Sequence, residues 1–380
     1  MTSPTQAPNH LDVPYTSPAS LVAPIKQQLL EAVSRVLYRG DFVLGEEVGA
    51  LEQRFADLVG ARHSVAVRSG TDALELSLRG VGLRDGDEVI TAPNCFVGVA
   101  GAIVRAGGVP VFVDVGPDYN IDPALIEAAV TPRTRVILPV HMTGRPADMD
   151  AIVSIARRLS LLVVEDAAQA ALARYRDRPV GVLGDVGCFG FGPSGPLGAC
   201  GDGGLVVTSD EQLAQRVAAL RDESRLTTGG PAFWSSNSRL DTVQAAIILT
   251  MLERAQQWAE RRRRNAAFYR EALEGLPGTE VPHDRDWEYS VYDSFVVQVD
   301  QRDELKAYLL ERGIETAARS FVPLHLQPVT TALGCRVGDF PNAEEQARRA
   351  LSLPVHPDLS EDQIHHVVDS IGTFVRRGEN

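Results

Sequence analysis

Seven apolar runs of strand length, at residues 64–67, 88–91, 110–114, 135–140, 161–165, 186–191 and 205–208, alternate with segments of helical periodicity. The runs are rich in Val, Ile and Leu and are nearly continuous, the pattern of a mostly parallel sheet covered by helices on both faces. After a long helical stretch at 241–273 the pattern changes to alternation and short helices. Together these predict an α/β fold with a large layered domain and a smaller α+β unit at the carboxyl end. The 380 residues, 44% hydrophobic and 23% charged, are enough for two such cores.

Residues 1–20, rich in Pro, Thr and Ser, read as an irregular arm, residues 21–245 as the large domain and 246–380 as the small one. Pro24 opens the first helix, which carries Ile25, Leu29, Leu30, Val33 and Leu37 at helical spacing and stops at Gly40. The second carries Val48, Leu51, Phe55 and Leu58, with Gly60 where a left-handed cap is expected. The strand runs follow, and a sheet of this kind collects ligands at the carboxyl ends of its strands. In the small unit, a strand at 291–299, a helix at 303–312, a short strand at 315–319 and a last helix are expected. Ser360 and Gln363 have the spacing of a capping box on that helix.

Fifty acidic residues against 37 basic ones give a net charge of −13, which disfavours binding to a phosphate backbone, so no nucleic-acid partner is expected. Cys95, Cys188, Cys200 and Cys335 are widely spaced, so neither a disulfide framework nor a metal site is expected. No run is long and apolar enough to cross a membrane, and the first residues lack the pattern of a signal peptide. A cytoplasmic protein is the expectation.

Seven segments occur in an order that resembles the DegT/StrS family of sugar aminotransferases. They are Gly40-Asp41-Phe42-Val43-Leu44-Gly45, Ser69-Gly70-Thr71-Asp72-Ala73-Leu74, Gly86-Asp87-Glu88-Val89-Ile90, Val164-Glu165-Asp166 with Gln169, Gly201-Asp202-Gly203-Gly204, Asn237-Ser238-Arg239-Leu240-Asp241 and Pro323-Leu324-His325-Leu326-Gln327. The resemblance implies a fold-type I pyridoxal-phosphate (PLP) transferase fold, aspartate-aminotransferase-like, with a seven-stranded sheet. It also implies a homodimer with shared active sites and a small-molecule substrate, a sugar or cyclitol. By the same resemblance, Gly70 and Thr71 grip the cofactor phosphate, Asp166 keeps the pyridine nitrogen protonated, and Gln169 lies beside the ring. Phe96 stacks on the ring, with Cys95 where the family usually has Thr, and Asn237 reaches the phosphate across the dimer interface. His325 faces the pocket. The plainer readings beside these are Thr71 as a helix N-cap, Asp166 as a cap, Phe96 as core, and His325 and His141 as satisfied structural histidines.

The same resemblance breaks at one place. The family segment Ser-Phe-x-x-x-Lys aligns with Gly190-Phe191-Gly192-Pro193-Ser194-Gly195, so glycines stand where the family has a phosphate-binding serine and the lysine that joins the cofactor. The whole chain holds two lysines, Lys26 and Lys306. Without an amine there, ordinary transamination is not expected. Two further departures are Asp293, where many members carry histidine, and Arg319-Ser320-Phe321 in place of a His-Tyr-Pro run. Arg319 reads either as a clamp for an anionic group or as a solvated rim residue. The expectation is an enzyme of sugar, cyclitol or natural-product biosynthesis doing non-transaminating chemistry. Asp166 and His325 are its candidate catalytic residues. It would hold PLP or pyridoxamine phosphate (PMP) noncovalently, or no cofactor. The alternative is a non-catalytic subunit that pairs with a lysine-bearing paralogue.

Overall fold

The computed structural model describes residues 12–193, 195, 197–223, 234–317 and 322–378. The first long helix, α1 (Lys26–Arg39), follows a 3-10 turn that contains Pro24, and it ends at Gly40 in the left-handed region with φ +78°. It buries Leu29, Ala32 and Val36, while Leu30, Leu37 and Tyr38 face outward. The inward stripe is thus rotated from the expected one. α2 (Glu46–Val59) ends at Gly60, φ +74°, as its sequence predicts.

Seven strands form the main sheet: β1 (His63–Val67), β2 (Glu88–Thr91), β3 (Val109–Phe112), β4 (Thr134–Ile137), β5 (Leu162–Asp166), β6 (Val186–Gly190) and β7 (Gly204–Thr208). Their order is β1-β7-β6-β5-β4-β2-β3. β3, β2, β4, β5 and β6 pair in parallel, whereas β7 runs antiparallel to both β6 and β1. The reason lies in the connections. Crossovers between parallel neighbours need a helix or a comparably long excursion, while β6 and β7 are joined directly through residues 191–203, so the chain turns back on itself. The Gly- and Pro-rich stretch singled out in the sequence is this hairpin connection, and it projects from the carboxyl end of β6.

Helices cover both faces. α3 (Gly70–Gly80), α4 (Val97–Arg105) and α6 (Glu211–Leu220) lie with one buried cluster, and α2, α5 (Met149–Leu159) and α7 (Thr242–Leu273) with the other. Each strand of β6 alternates its side chains between these layers. Phe189 and Phe191 therefore share one side, where Phe55 of α2 meets both rings edge-on at 4.8 and 5.6 Å. Gly190, between them, faces the opposite side. α7 runs 32 residues away from the sheet, and beyond it a separate three-stranded antiparallel sheet forms, in the order β8 (Thr279–Glu280), β9 (Phe295–Val299), β10 (Ala350–Leu353). The expected strand at 291–299 is thus shorter. Ala317 pairs with Ser352 as a single bridge, Glu315 and Thr316 form no strand, and residues 318–319 of the expected strand lie outside the described residues, as does Arg319-Ser320-Phe321.

The capping box of the last helix, α10 (Glu361–Gly378), forms reciprocally: Gln363 N–H donates to Ser360 Oγ at 3.1 Å and Ser360 N–H to Gln363 Oε1 at 3.0 Å. No described helix is long and apolar enough to cross a membrane.

Phe55 is 1% exposed and its ring anchors both residues flanking Gly190. Phe55→Ala is expected to lower unfolding free energy by about 3–5 kcal/mol, read by denaturant titration. A loss under about 1 kcal/mol would mean that the Phe189–Phe191 step is held from elsewhere.

Candidate active site

The carboxyl ends of β5 and β6 and the amino end of α3 surround a cavity of about 510 Å³. The start of α3 is built for close approach. Ser69, in extended conformation, caps the helix: its Oγ accepts the Asp72 N–H at 3.1 Å. The cap is Ser69 and not Thr71, which leaves Gly70 and Thr71 on the first turn, lining the cavity, where backbone N–H groups have no intrahelical partner. A Cβ on Gly70 would come within 3.0 Å of Gly190 Cα, and one on Gly190 within 3.2 Å of the Ala168 Cβ. Gly70 lets the helix begin this close to the strand end, whereas a side chain at residue 190 calls for a shift of a few tenths of an ångström at Ala168. The helix dipole and the free N–H groups suit an anion here.

Glu165 and Asp166 are adjacent on β5 and face opposite ways. Glu165 is fully buried and accepts the N–H groups of Gly181, Leu183 and Gly184 at 2.6–2.7 Å, with His141 Nε2 at 3.0 Å. His141 Nδ1 in turn accepts the Ala147 N–H at 3.0 Å. His141 is therefore a structural histidine, held at both ring nitrogens, and it does not line the cavity. Asp166 does line it. Its Oδ1 accepts the Ala168 N–H at 3.0 Å. Burial pushes the Asp166 carboxyl up to about 6, against the pull of that N–H and of His141. A buried carboxylate in this position is a natural partner for a protonated ring nitrogen.

Gln169 also lines the cavity, and its Oε1 accepts the N–H of Thr143, a residue held at φ +60°. Phe96, at the N-cap position of α4, is 67% exposed at the cavity rim and not part of the core. Cys95 is buried, and burial together with Asp166 pushes its thiol up to about 12, so it stays protonated. Asn237 is exposed, outside this cavity, with its Oδ1 accepting from the Arg239 guanidinium. Its neighbour Ser238 ties this segment to α3 through a 2.7 Å bond to Asp72. His325 is buried away from the lining: its Nε2 lies 3.0 Å from Glu344 Oε1 and its ring meets Phe340 edge-on.

Residues not assigned from the sequence complete the wall: Asn94, Gly98 and Met142, together with Asp202 of the Gly-Asp-Gly-Gly run, and Asp293. Asp202 and Asp293 were legible as members of a motif and as a departure from one. Asn94 and Met142 carried no signal. Gly190 and Gly195 both line the cavity, and among the described residues no lysine does. At Gly195 an added Cβ would meet only the Gly192 carbonyl at 3.3 Å and the Leu197 carbonyl at 4.0 Å.

An anion cradle at a helix start, a buried carboxylate 6% exposed at a strand end and an exposed aromatic at the rim fit a phosphorylated pyridine cofactor. With the seven-stranded sheet, they define the class: a fold-type I PLP-dependent aminotransferase fold. The chain belongs to the DegT/DnrJ/EryC1/StrS aminotransferase family, whose profile matches residues 24–372. It is 40% identical over 366 residues to dTDP-3-amino-3,4,6-trideoxy-alpha-D-glucose transaminase of Streptomyces venezuelae, covering 96% of this chain and 97% of that protein. It is 41% identical over 369 residues to a pleiotropic regulatory protein of Geobacillus stearothermophilus, covering 96% and 99%. Among solved structures, S. venezuelae DesV in complex with a ketimine intermediate superposes with a TM-score of 0.94 at 40% identity, covering 96% of this chain and 99% of that one. The Bacillus subtilis NtdA structure with bound PMP gives a TM-score of 0.88 at 28% identity, covering 96% and 85%.

The raised value at Asp166 has a thermodynamic sign. Because its folded-state value lies above the ordinary 3.8, the folded chain binds that proton more tightly than the unfolded chain. The carboxyl therefore costs nothing below about pH 4 and destabilises increasingly as pH rises through 6, by up to roughly 3 kcal/mol. Without added ligand, Asp166→Asn is expected to melt above the parent chain at pH 7.5 and level with it at pH 4. Equal offsets at both pH values would show that Asp166 carries no such penalty.

Proposed function

We propose that this chain is an enzyme of nucleotide-sugar, cyclitol or natural-product biosynthesis that binds PLP or PMP noncovalently and carries out chemistry other than ordinary transamination. What supports this reading is a cavity that fits the cofactor and has Gly195 in its wall, the residue that the family resemblance aligns with the lysine. Relatives named as nucleotide-sugar transaminases support the substrate class. When bound, the cofactor supplies a protonated ring that stabilises negative charge on its substituent.

In this proposal the Gly70 and Thr71 N–H groups hold the phosphate at the start of α3. Asp166 Oδ1 or Oδ2 holds the proton on the pyridine nitrogen, and the ionised carboxylate becomes favourable there because its partner is a cation. Phe96 covers one ring face and excludes water, and the Gln169 side chain, fixed through Thr143, sets the ring edge. Asn237, exposed beside Ser238, reaches the phosphate of a second copy in a two-fold dimer with shared sites. His325, engaged with Glu344, supports the adjoining loop, whose Leu324 N–H donates to the Pro93 carbonyl at 2.7 Å. With no amine at residue 195, no side chain there can take a covalent hold on the cofactor or shuttle a proton at the carbon next to the ring. The small domain from residue 246 onward closes the substrate side.

The space at Gly195 makes the test direct. Purified chain loaded with PLP and reduced with borohydride is expected to yield no covalently retained cofactor beyond that on surface lysines, by mass spectrometry. Gly195→Lys is expected to retain one equivalent, mapped to residue 195. Equal stable labelling of an unmutated residue inside the cavity would overturn the proposal. Failure of the lysine variant to take up any cofactor would show that the cavity serves another ligand.

A further inference from the structure

Asp166, Asp202 and Asp293 line the cavity, and among the described residues no lysine, arginine or histidine does. Three carboxylates around a volume of about 510 Å³ favour a cationic occupant over a neutral one of the same shape. The phosphate end of such an occupant is served separately, by the helix start. Asp166 is matched to the ring nitrogen, which leaves two carboxylates without an assigned partner in the ligand.

Asp293 is the more informative of these. Together with Gly195 it lies between the main cavity and a side chamber of about 20 Å³, whose wall includes Arg262 and His356. Arg262 is 5% exposed, and burial pulls its guanidinium below the usual value while the charges of Asp293 and Asp358 act to raise it. A guanidinium so deeply buried requires anions beside it, and Asp293 shares the wall of that chamber with it. The same wall offers, at Gly195, no amine with which an aldehyde could be joined.

We propose, resting on the cofactor reading above, that the cavity selects PMP over PLP, with Asp293 beside Gly195 as the counter-ion of the ligand's ammonium group. The ammonium gains a charge-assisted bond to a carboxylate that also lines the chamber walled by Arg262. The aldehyde of PLP is neutral and gains neither that bond nor a covalent one. Selection for the amine form thus takes the place of covalent capture as the means of retention.

Equilibrium dialysis of the full chain against PMP, PLP and 4′-deoxypyridoxine 5′-phosphate, which carries a methyl group in place of the aminomethyl group, separates the possibilities. PMP is expected to bind at least about tenfold tighter than either of the others, a gap that one charge-assisted bond accounts for. In Asp293→Asn the PMP advantage is expected to shrink to less than about threefold, with affinity for the deoxy compound unchanged. Equal affinities in the parent chain would overturn the proposal, and so would an Asp293→Asn variant that weakens all three ligands alike. If the variant does not fold, the parent-chain comparison of PMP with the deoxy compound decides alone. Absence of binding by all three would instead overturn the cofactor reading beneath it.

Discussion

The start of α3 and the end of β6 meet glycine to glycine, and the geometry of the site follows from that contact. Gly70 and Gly190 leave no room for a side chain between them, so the first turn of the helix points its backbone N–H groups at the space above the strand ends. Phe55, clamped between Phe189 and Phe191 on the far side, prevents the strand end from moving away. Ser69, itself part of the cavity wall, completes the arrangement by capping the helix. The cradle is thus built from main chain held at a fixed distance.

The second organising principle is the unequal treatment of two neighbouring acids. Glu165 is saturated by three N–H donors and His141, and it serves to fix the 181–184 turn beneath the sheet. Asp166, one residue later, has the Ala168 N–H, and burial holds its carboxyl up to about 6. The chain thereby carries an unfavourable group when the cavity has no cation in it, a common arrangement at functional sites. Strand alternation alone accounts for the difference, since it sends one carboxylate into the turn and the next into the crevice.

Much of the architecture was legible in residue order. The seven strand runs, the glycine stops at Gly40 and Gly60, the long helix ending at Leu273 and the reciprocal Ser360–Gln363 cap all follow from local periodicity and capping chemistry. The antiparallel direction of β7 was not, because direction depends on whether a connection contains a helix, and the Gly-rich stretch could be read either way. The alternative reading of Thr71 as N-cap lies two residues from the cap at Ser69, since both are good capping types and only the backbone turn distinguishes them. The convergence of Asp202 and Asp293 on one cavity joins residues some ninety positions apart, on segments that lead into two different sheets, a relation that no spacing encodes. The engagement of His325 with Glu344 is equally non-local.

The hairpin character of residues 191–203 has a consequence for how such proteins diversify. Phe191, Leu197 and Ala199 of this connection are buried in the main core, and the Gln244 amide of α7 donates to the Cys200 carbonyl. Gly192 and Gly195 instead line the cavity. Change at the cavity-lining positions alters what the pocket can hold while the strands on either side keep their register, whereas change at the buried positions disturbs the cover of the sheet.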